Sequence, residues 1–284
     1  MNPPIPRRTV TASLLAGAAA LGTAGVTTAA PASAAEPSDR GHRPSPRPTV
    51  VLVHGAFADA SSWSGVIERL QRDGHPVLAP ALPLRGLASD AAYIRSVLDS
   101  VTGPVVLVGH SYGGSVISTA ADGAEGVEAL VYIAAFVPDV GESALGLTDK
   151  YPGSTLGPTT DSQTYPLPGG GQGEELVIKK ELFREQFAAG VPVTTAQVMA
   201  AGQRPIALAA LQEEATVAAW KKIPSWYLVA GEDRNIPPAA ERWMAHRAGA
   251  RTVEVQAPHA VSVSDPAPVT ELILRAVRSV HTGH

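Results

Sequence analysis

Runs of apolar, largely β-branched residues recur along the chain without alternating with polar ones: TVVLVHG at 49–55, PVVLVGH at 104–110 and VEALVYIAAF at 127–136. A strand of this kind needs cover on both faces, and helices on both sides of a parallel sheet provide it. PVLAPAL at 76–82, SWYLVAG at 225–231 and TVEVQAP at 252–258 extend the series. Helical patterns separate them, over about 60–73, 89–101, 112–122, 238–248 and 266–280. The rhythm predicts an α/β fold with a mostly parallel sheet of about six strands and helices on both faces.

That rhythm breaks after the strand ending near Phe136. Residues 138–219 begin loop-like (YPGSTLGPTTDSQTYPLPGGGQGEE), then carry helical patterns over about 181–189 and 195–211. Lying between two strands, the stretch is predicted to form a cap over the carboxyl ends of the sheet, where open α/β sheets bind ligands. Phe183, Phe187, Val198, Met199 and Leu208 are expected to be its buried residues. The GGGQG at 169–173 follows no strand, so it reads as a flexible loop and not as a dinucleotide fingerprint.

The first 34 residues read as an export signal that is cleaved: Arg7 and Arg8, an apolar run from Leu14 to Val26, then Ala32-Ser33-Ala34 as a small-residue cleavage pattern. The paired arginines suit the twin-arginine route. Residues 35–48, rich in proline, serine and charge, read as a flexible leader, with the folded domain at 49–284. Loss of residues 1–34 removes two arginines and no acids, taking the formal charge from −4 to −6. An acidic chain of this kind argues against nucleic acid or an anionic membrane surface as partner. There is no cysteine, which excludes disulfides and thiolate chemistry.

Chemistry is concentrated at Gly109-His110-Ser111-Tyr112-Gly113, which joins a predicted strand to a predicted helix. A serine hydroxyl is a poor nucleophile until a base removes its proton, so it must be exposed where a histidine can reach it. A sharp strand-to-helix turn exposes it, and steric crowding there calls for small residues on either side. Among eight histidines, His259, in the APHAVS loop after the last strand, is the candidate base. His54, at the end of the first strand, is expected to hold the adjacent loop by hydrogen bonding. A carboxylate must orient the base. Asp233 in AGEDRNIP is favoured on chain order, and Asp139, just past a neighbouring strand end, is its competitor. The developing oxyanion needs two N–H donors. Tyr112 N–H is one, and the HGAF loop supplies the other through Ala56 N–H or Phe57 N–H.

With HGAF, GHSYGG, GEDR and APHAV in that order, the chain resembles the α/β-hydrolase superfamily over about residues 49–280. It looks most like the small branch that holds plant methyl-ester esterases, hydroxynitrile lyases and bacterial carboxylesterases. The resemblance implies Ser111 as nucleophile, Asp233 and His259 as its partners, and Ala56 and Tyr112 as oxyanion donors. The lyases carry threonine where this chain has Gly55, and lysine where it has Ala260; both departures favour an esterase. The expected activity is secreted serine carboxylic-ester hydrolysis of small or medium esters, with Phe57 and Phe136 contacting substrate. No metal or organic cofactor and no stable membrane association after processing are expected. Lactone hydrolysis, lyase chemistry and a non-catalytic ligand-binding role on the same site are the alternatives.

Overall fold

The computed structural model describes residues 47–281. In chain order its elements are β1 (Thr49–Val53), α1 (Ser64–Arg72), β2 (Val77–Leu78), α2 (Leu87–Leu98), β3 (Val105–Ser111), α3 (Tyr112–Ala120) and β4 (Val127–Ala135). Next come α4 (Ala144–Thr148), α5 (Leu156–Thr159), β5 (Thr160–Pro166), β6 (Gln172–Ile178), α6 (Lys180–Phe187), α7 (Val193–Gly202), β7 (Ile206–Ala207) and α8 (Leu208–Gln212). The chain then returns to the main sheet with β8 (Ser225–Ala230), α9 (Pro238–Arg247), β9 (Arg251–Val255), α10 (Val261–Ser264) and α11 (Pro266–His281).

The main sheet has six strands in the order β2-β1-β3-β4-β8-β9, and every pairing in it is parallel. Successive residues of one strand serve opposite cores. Val51, Val53 and Leu107 pack with α2, α3, α9 and the cap, whereas Val50, Leu52, Val106 and Val108 pack with α1 and α11. This is why β1 and β3 read as unbroken apolar runs. On α11 the buried residues Val269, Leu272, Ile273, Ala276, Val277 and Val280 recur at three- and four-residue steps, the stripe of a helix lying on a sheet. Among the described residues no helix is long and apolar enough to cross a membrane.

Several sequence expectations need correction. The strand expected over 76–82 is only Val77–Leu78; Pro80 and Pro83 follow within five residues, and proline supplies no N–H to a ladder. The helix expected over 195–211 is three elements, α7, β7 and α8. Pro205 explains the break, because the residue before a proline is pushed out of helical conformation. The stretch read as a loop holds a hairpin, β5 pairing antiparallel with β6, and β7 adds a third strand. GGGQG is therefore a turn built into a hairpin: Gly169, Gly170 and Gly171 all have positive φ, and Leu167 N–H donates to the Gly171 carbonyl at 3.1 Å. Of the residues expected to be buried in the cap, Phe183 and Phe187 are, whereas Val198 is 73% exposed and Met199 and Leu208 are half-buried. Pro48, placed in the leader, is buried, and Arg47 donates to the Asp73 carbonyl at 2.5 Å. The predicted export signal and the rest of the leader lie outside the described residues.

Candidate active site

The turn from β3 into α3 puts Ser111 at φ 54°, ψ −125°, a left-handed conformation that costs a non-glycine residue about 1–3 kcal/mol and recurs at functional sites. Neighbouring backbone explains the flanking glycines. A Cβ at Gly109 would lie 2.6 Å from the Gly113 carbonyl oxygen, and one at Gly113 would lie 2.6 Å from that of Val53. The same crowding reaches the first loop, where a Cβ at Gly55 would meet the Ser111 Cβ at 2.6 Å. The HGAF loop and the serine turn thus touch through their backbones, and only a glycine lets them do so.

His259 follows β9 and is buried. Its Nδ1 lies 2.5 Å from Asp233 Oδ2. A carboxylate acceptor places the imidazole proton on Nδ1 and leaves the Nε2 lone pair available. Asp233 sits in the turn after β8, its other oxygen accepting the N–H groups of Asn235 at 2.6 Å and Ile236 at 3.0 Å. Asp139 is elsewhere: it is paired with Lys221 near the surface, and that hydrogen-bonded ammonium holds its carboxyl below the usual range. Of the two carboxylates weighed on sequence, Asp233 is therefore the one that meets the histidine.

Other histidines frame the site. His54 Nε2 accepts the Leu82 N–H at 2.9 Å, so its Nδ1–H donates to the Gly55 carbonyl at 2.8 Å and holds the loop, as expected. His110 Nε2–H donates to the His259 carbonyl at 2.9 Å and ties the serine turn to the base-bearing loop. Its ring packs 4.7 Å from that of His259. Burial pushes both His54 and His110 below the ordinary histidine range, which favours their neutral rings.

Phe57 has φ +59° and donates its N–H to the Arg204 carbonyl of the cap at 3.1 Å. Its amide is thereby committed, whereas no such partner takes the Ala56 N–H, the other amide weighed on sequence. Tyr112 is the first residue of α3, where an N–H has no intrahelical partner. The Tyr112 hydroxyl, by contrast, points away and donates to the buried Asp90 at 2.9 Å, whose carboxyl is pushed up by burial. A cavity of about 280 Å³ opens over Ser111, floored by Ala56, Phe57, Tyr112 and Phe136. The cap roofs it with Leu145, Leu156, Leu176 and Leu211.

Three residues absent from the sequence reading surround this arrangement. Gln186 of α6 donates to Asn235 Oδ1 at 2.7 Å and to the Arg234 carbonyl at 2.9 Å, fastening the cap to the loop that carries Asp233. Asn235 itself lines the cavity. Its place two residues after an aspartate in a turn, where the acid caps the backbone, is a signal that could have found it. Gln186 carries no such signal. The third, Glu241, is buried behind Asp233.

A sequence profile of the alpha/beta hydrolase family matches residues 50–272, and the chain belongs to this family. Its relatives include the alpha/beta hydrolase nvfD of Aspergillus novofumigatus, 27% identical over 256 residues that cover 82% of this chain and 96% of that one. Methylesterase 2 of Arabidopsis thaliana is 26% identical over 226 residues, covering 72% and 85% of the two chains. Among solved structures, polyneuridine aldehyde esterase superimposes with a TM-score of 0.71 at 22% identity, over 81% of this chain and 99% of that one.

Proposed function

We propose that the protein is a serine carboxylic-ester hydrolase that works through an acyl-enzyme on Ser111. The observation that carries this reading is the 2.5 Å pairing of His259 Nδ1 with Asp233 in a loop tied to the strained Ser111 turn. In the proposed cycle His259 Nε2 takes the Ser111 proton as Oγ attacks the ester carbonyl. The oxyanion that forms accepts hydrogen bonds from Ala56 N–H and Tyr112 N–H, each worth about 3 kcal/mol. His259 then returns the proton to the departing alcohol, and water, deprotonated by the same nitrogen, releases the acid from Ser111. Asp233 stays ionised throughout and compensates the imidazolium.

The largely apolar walls of the cavity support small or medium uncharged esters as substrates, with Phe57 and Phe136 against the acyl or alcohol group. The names of the methylesterase and esterase relatives agree with ester cleavage. Ala260, buried beside the base where the lyases carry lysine, offers no charge to stabilise cyanide. A panel of p-nitrophenyl esters of graded acyl length, run beside a lactone and a cyanohydrin, tests the reading. Ester turnover is expected to exceed the other two; cyanohydrin cleavage faster than any ester would contradict it.

Export is part of the same proposal. In a host with a twin-arginine pathway the chain is expected outside the cytoplasm with Ala35 as its first residue. N-terminal sequencing that finds residues 1–34 still present on active, exported protein would sink the cleavage assignment.

A further inference from the structure

Among the buried ionisable side chains that the cycle above leaves unused, one stands against Asp233. Glu241 on α9 is fully buried. Its Oε2 accepts the Ala230 N–H at 3.1 Å, and Ala230 closes the turn that carries the acid, since Asp233 N–H donates to the Ala230 carbonyl at 3.2 Å. Oε1 receives no backbone or hydroxyl donor, and the Glu241 carboxyl is in side-chain contact with Asp233.

The two carboxyl groups are unequally supplied. Asp233 receives three N–H groups, from Asn235, Ile236 and His259; Glu241 receives one. Among the described residues no cation forms an ion pair with Glu241, and Arg242, the next residue along α9, is the weakest of the influences on its carboxyl. On β8, Tyr227 is a neutral phenol whose hydroxyl donates to the Ala135 carbonyl, and Tyr132 of β4 stacks on its ring. Arg242 is engaged at the surface with Glu254 of β9, and Arg247 with Glu142. Two adjacent carboxylates away from water cannot both be ionised when the ring that meets them is a neutral imidazole and no cation touches either. Burial and the neighbouring Asp233 charge raise the Glu241 carboxyl far above the ordinary range, in agreement with the hydrogen-bond supply. An un-ionised carboxyl is a donor, and the acceptor it meets is Asp233.

We propose that Glu241 is a positioning residue whose un-ionised carboxyl donates a hydrogen bond to Asp233, holding that side chain in place and sharing its negative charge. The proposal rests on the reading of His259 as the base, because the charge on Asp233 sets how strongly His259 binds a proton. Losing the donor concentrates charge on Asp233, stabilises the imidazolium and moves the acid limb of the pH profile upward. His54 and His110, both lowered by burial, make no hydrogen bond to Asp233, so a change in its charge acts first on His259.

Two measurements test it. The first needs no substrate: the infrared difference spectrum of wild type minus Glu241→Gln at pH 7 is expected to show the C=O band of an un-ionised carboxylic acid. A difference spectrum with carboxylate bands instead would overturn the proposal. The second compares kcat against pH on p-nitrophenyl butyrate. Glu241→Met is expected to lose about ten-fold in kcat with KM unchanged and to shift its acid limb up by about 0.5 to 1 unit. Glu241→Gln, still a donor, is expected to recover most of kcat and the wild-type limb. A Glu241→Met limb that coincides with wild type would refute the positioning role. If the acid band is present and no ester is turned over, the ester reading fails while the proton on Glu241 stands.

Discussion

Ser111→Ala is expected to lower kcat for p-nitrophenyl butyrate by about 10⁴-fold or more, since removing a nucleophile of this type leaves only binding and oxyanion stabilisation. The fold should be untouched. Ser111 makes no side-chain hydrogen bond that the β3–α3 turn depends on, and the turn is held by strand pairing and by the packing of its flanking glycines. The strain at φ 54° adds a second expectation: Ser111→Gly, equally inactive, should be more stable than Ser111→Ala by about 1 kcal/mol, because glycine adopts this conformation at little cost. Urea unfolding of the two variants measures that difference. Retention of even a tenth of wild-type turnover in Ser111→Ala would remove Ser111 from the mechanism.

Asp233→Asn is expected to be almost as damaging, about 10⁴-fold in kcat, because an amide facing His259 Nδ1 favours the tautomer with its proton on Nε2, where the base must be free. Asp139→Asn should stay within about two-fold of wild type. It breaks a partly exposed pair with Lys221, an interaction worth at most about 1 kcal/mol of stability, and it leaves the His259–Asp233 pair intact. The same ester assay on both variants decides between them. Loss in Asp139→Asn alone would reverse the assignment.

The parts of this molecule that could be read from sequence are those with a local physical cause. β1, β3 and β4 are apolar on both faces, so their burial between two helical layers is written in the run itself. The serine turn was legible because glycines, serine, strand and helix stand consecutively. Choosing Asp233 over Asp139 rested on chain order, and the structure supplies the physical ground: Asp139 meets a lysine and Asp233 the imidazole.

The cap was harder for equally definite reasons. On β5, residues 161–164 are all exposed, so no apolar alternation marked a strand. Pairing with β6 and a turn of left-handed glycines make it one. Val198 was expected inside because valine is apolar, yet α7 turns it outward. The choice between Ala56 and Phe57 as amide donor depended on Arg204, about 150 residues away in sequence, whose carbonyl takes the Phe57 N–H. Nothing in the sequence marks Glu241, and only the packing of α9 against β8 makes it a buried neighbour of Asp233.

Covalent acylation of Ser111 is the step on which the proposed cycle turns, and an irreversible analogue of that step makes it measurable. Diethyl p-nitrophenyl phosphate carries a phosphoryl group in place of the carbonyl and leaves a stable ester on an activated serine. The wild-type protein is expected to release one p-nitrophenol per chain, lose ester hydrolysis in proportion, and carry the diethylphosphoryl mass on the peptide that contains Ser111; Ser111→Ala should take up none. Ester turnover that persists at full labelling, or a label on any other residue that accounts for the inactivation, would contradict the account.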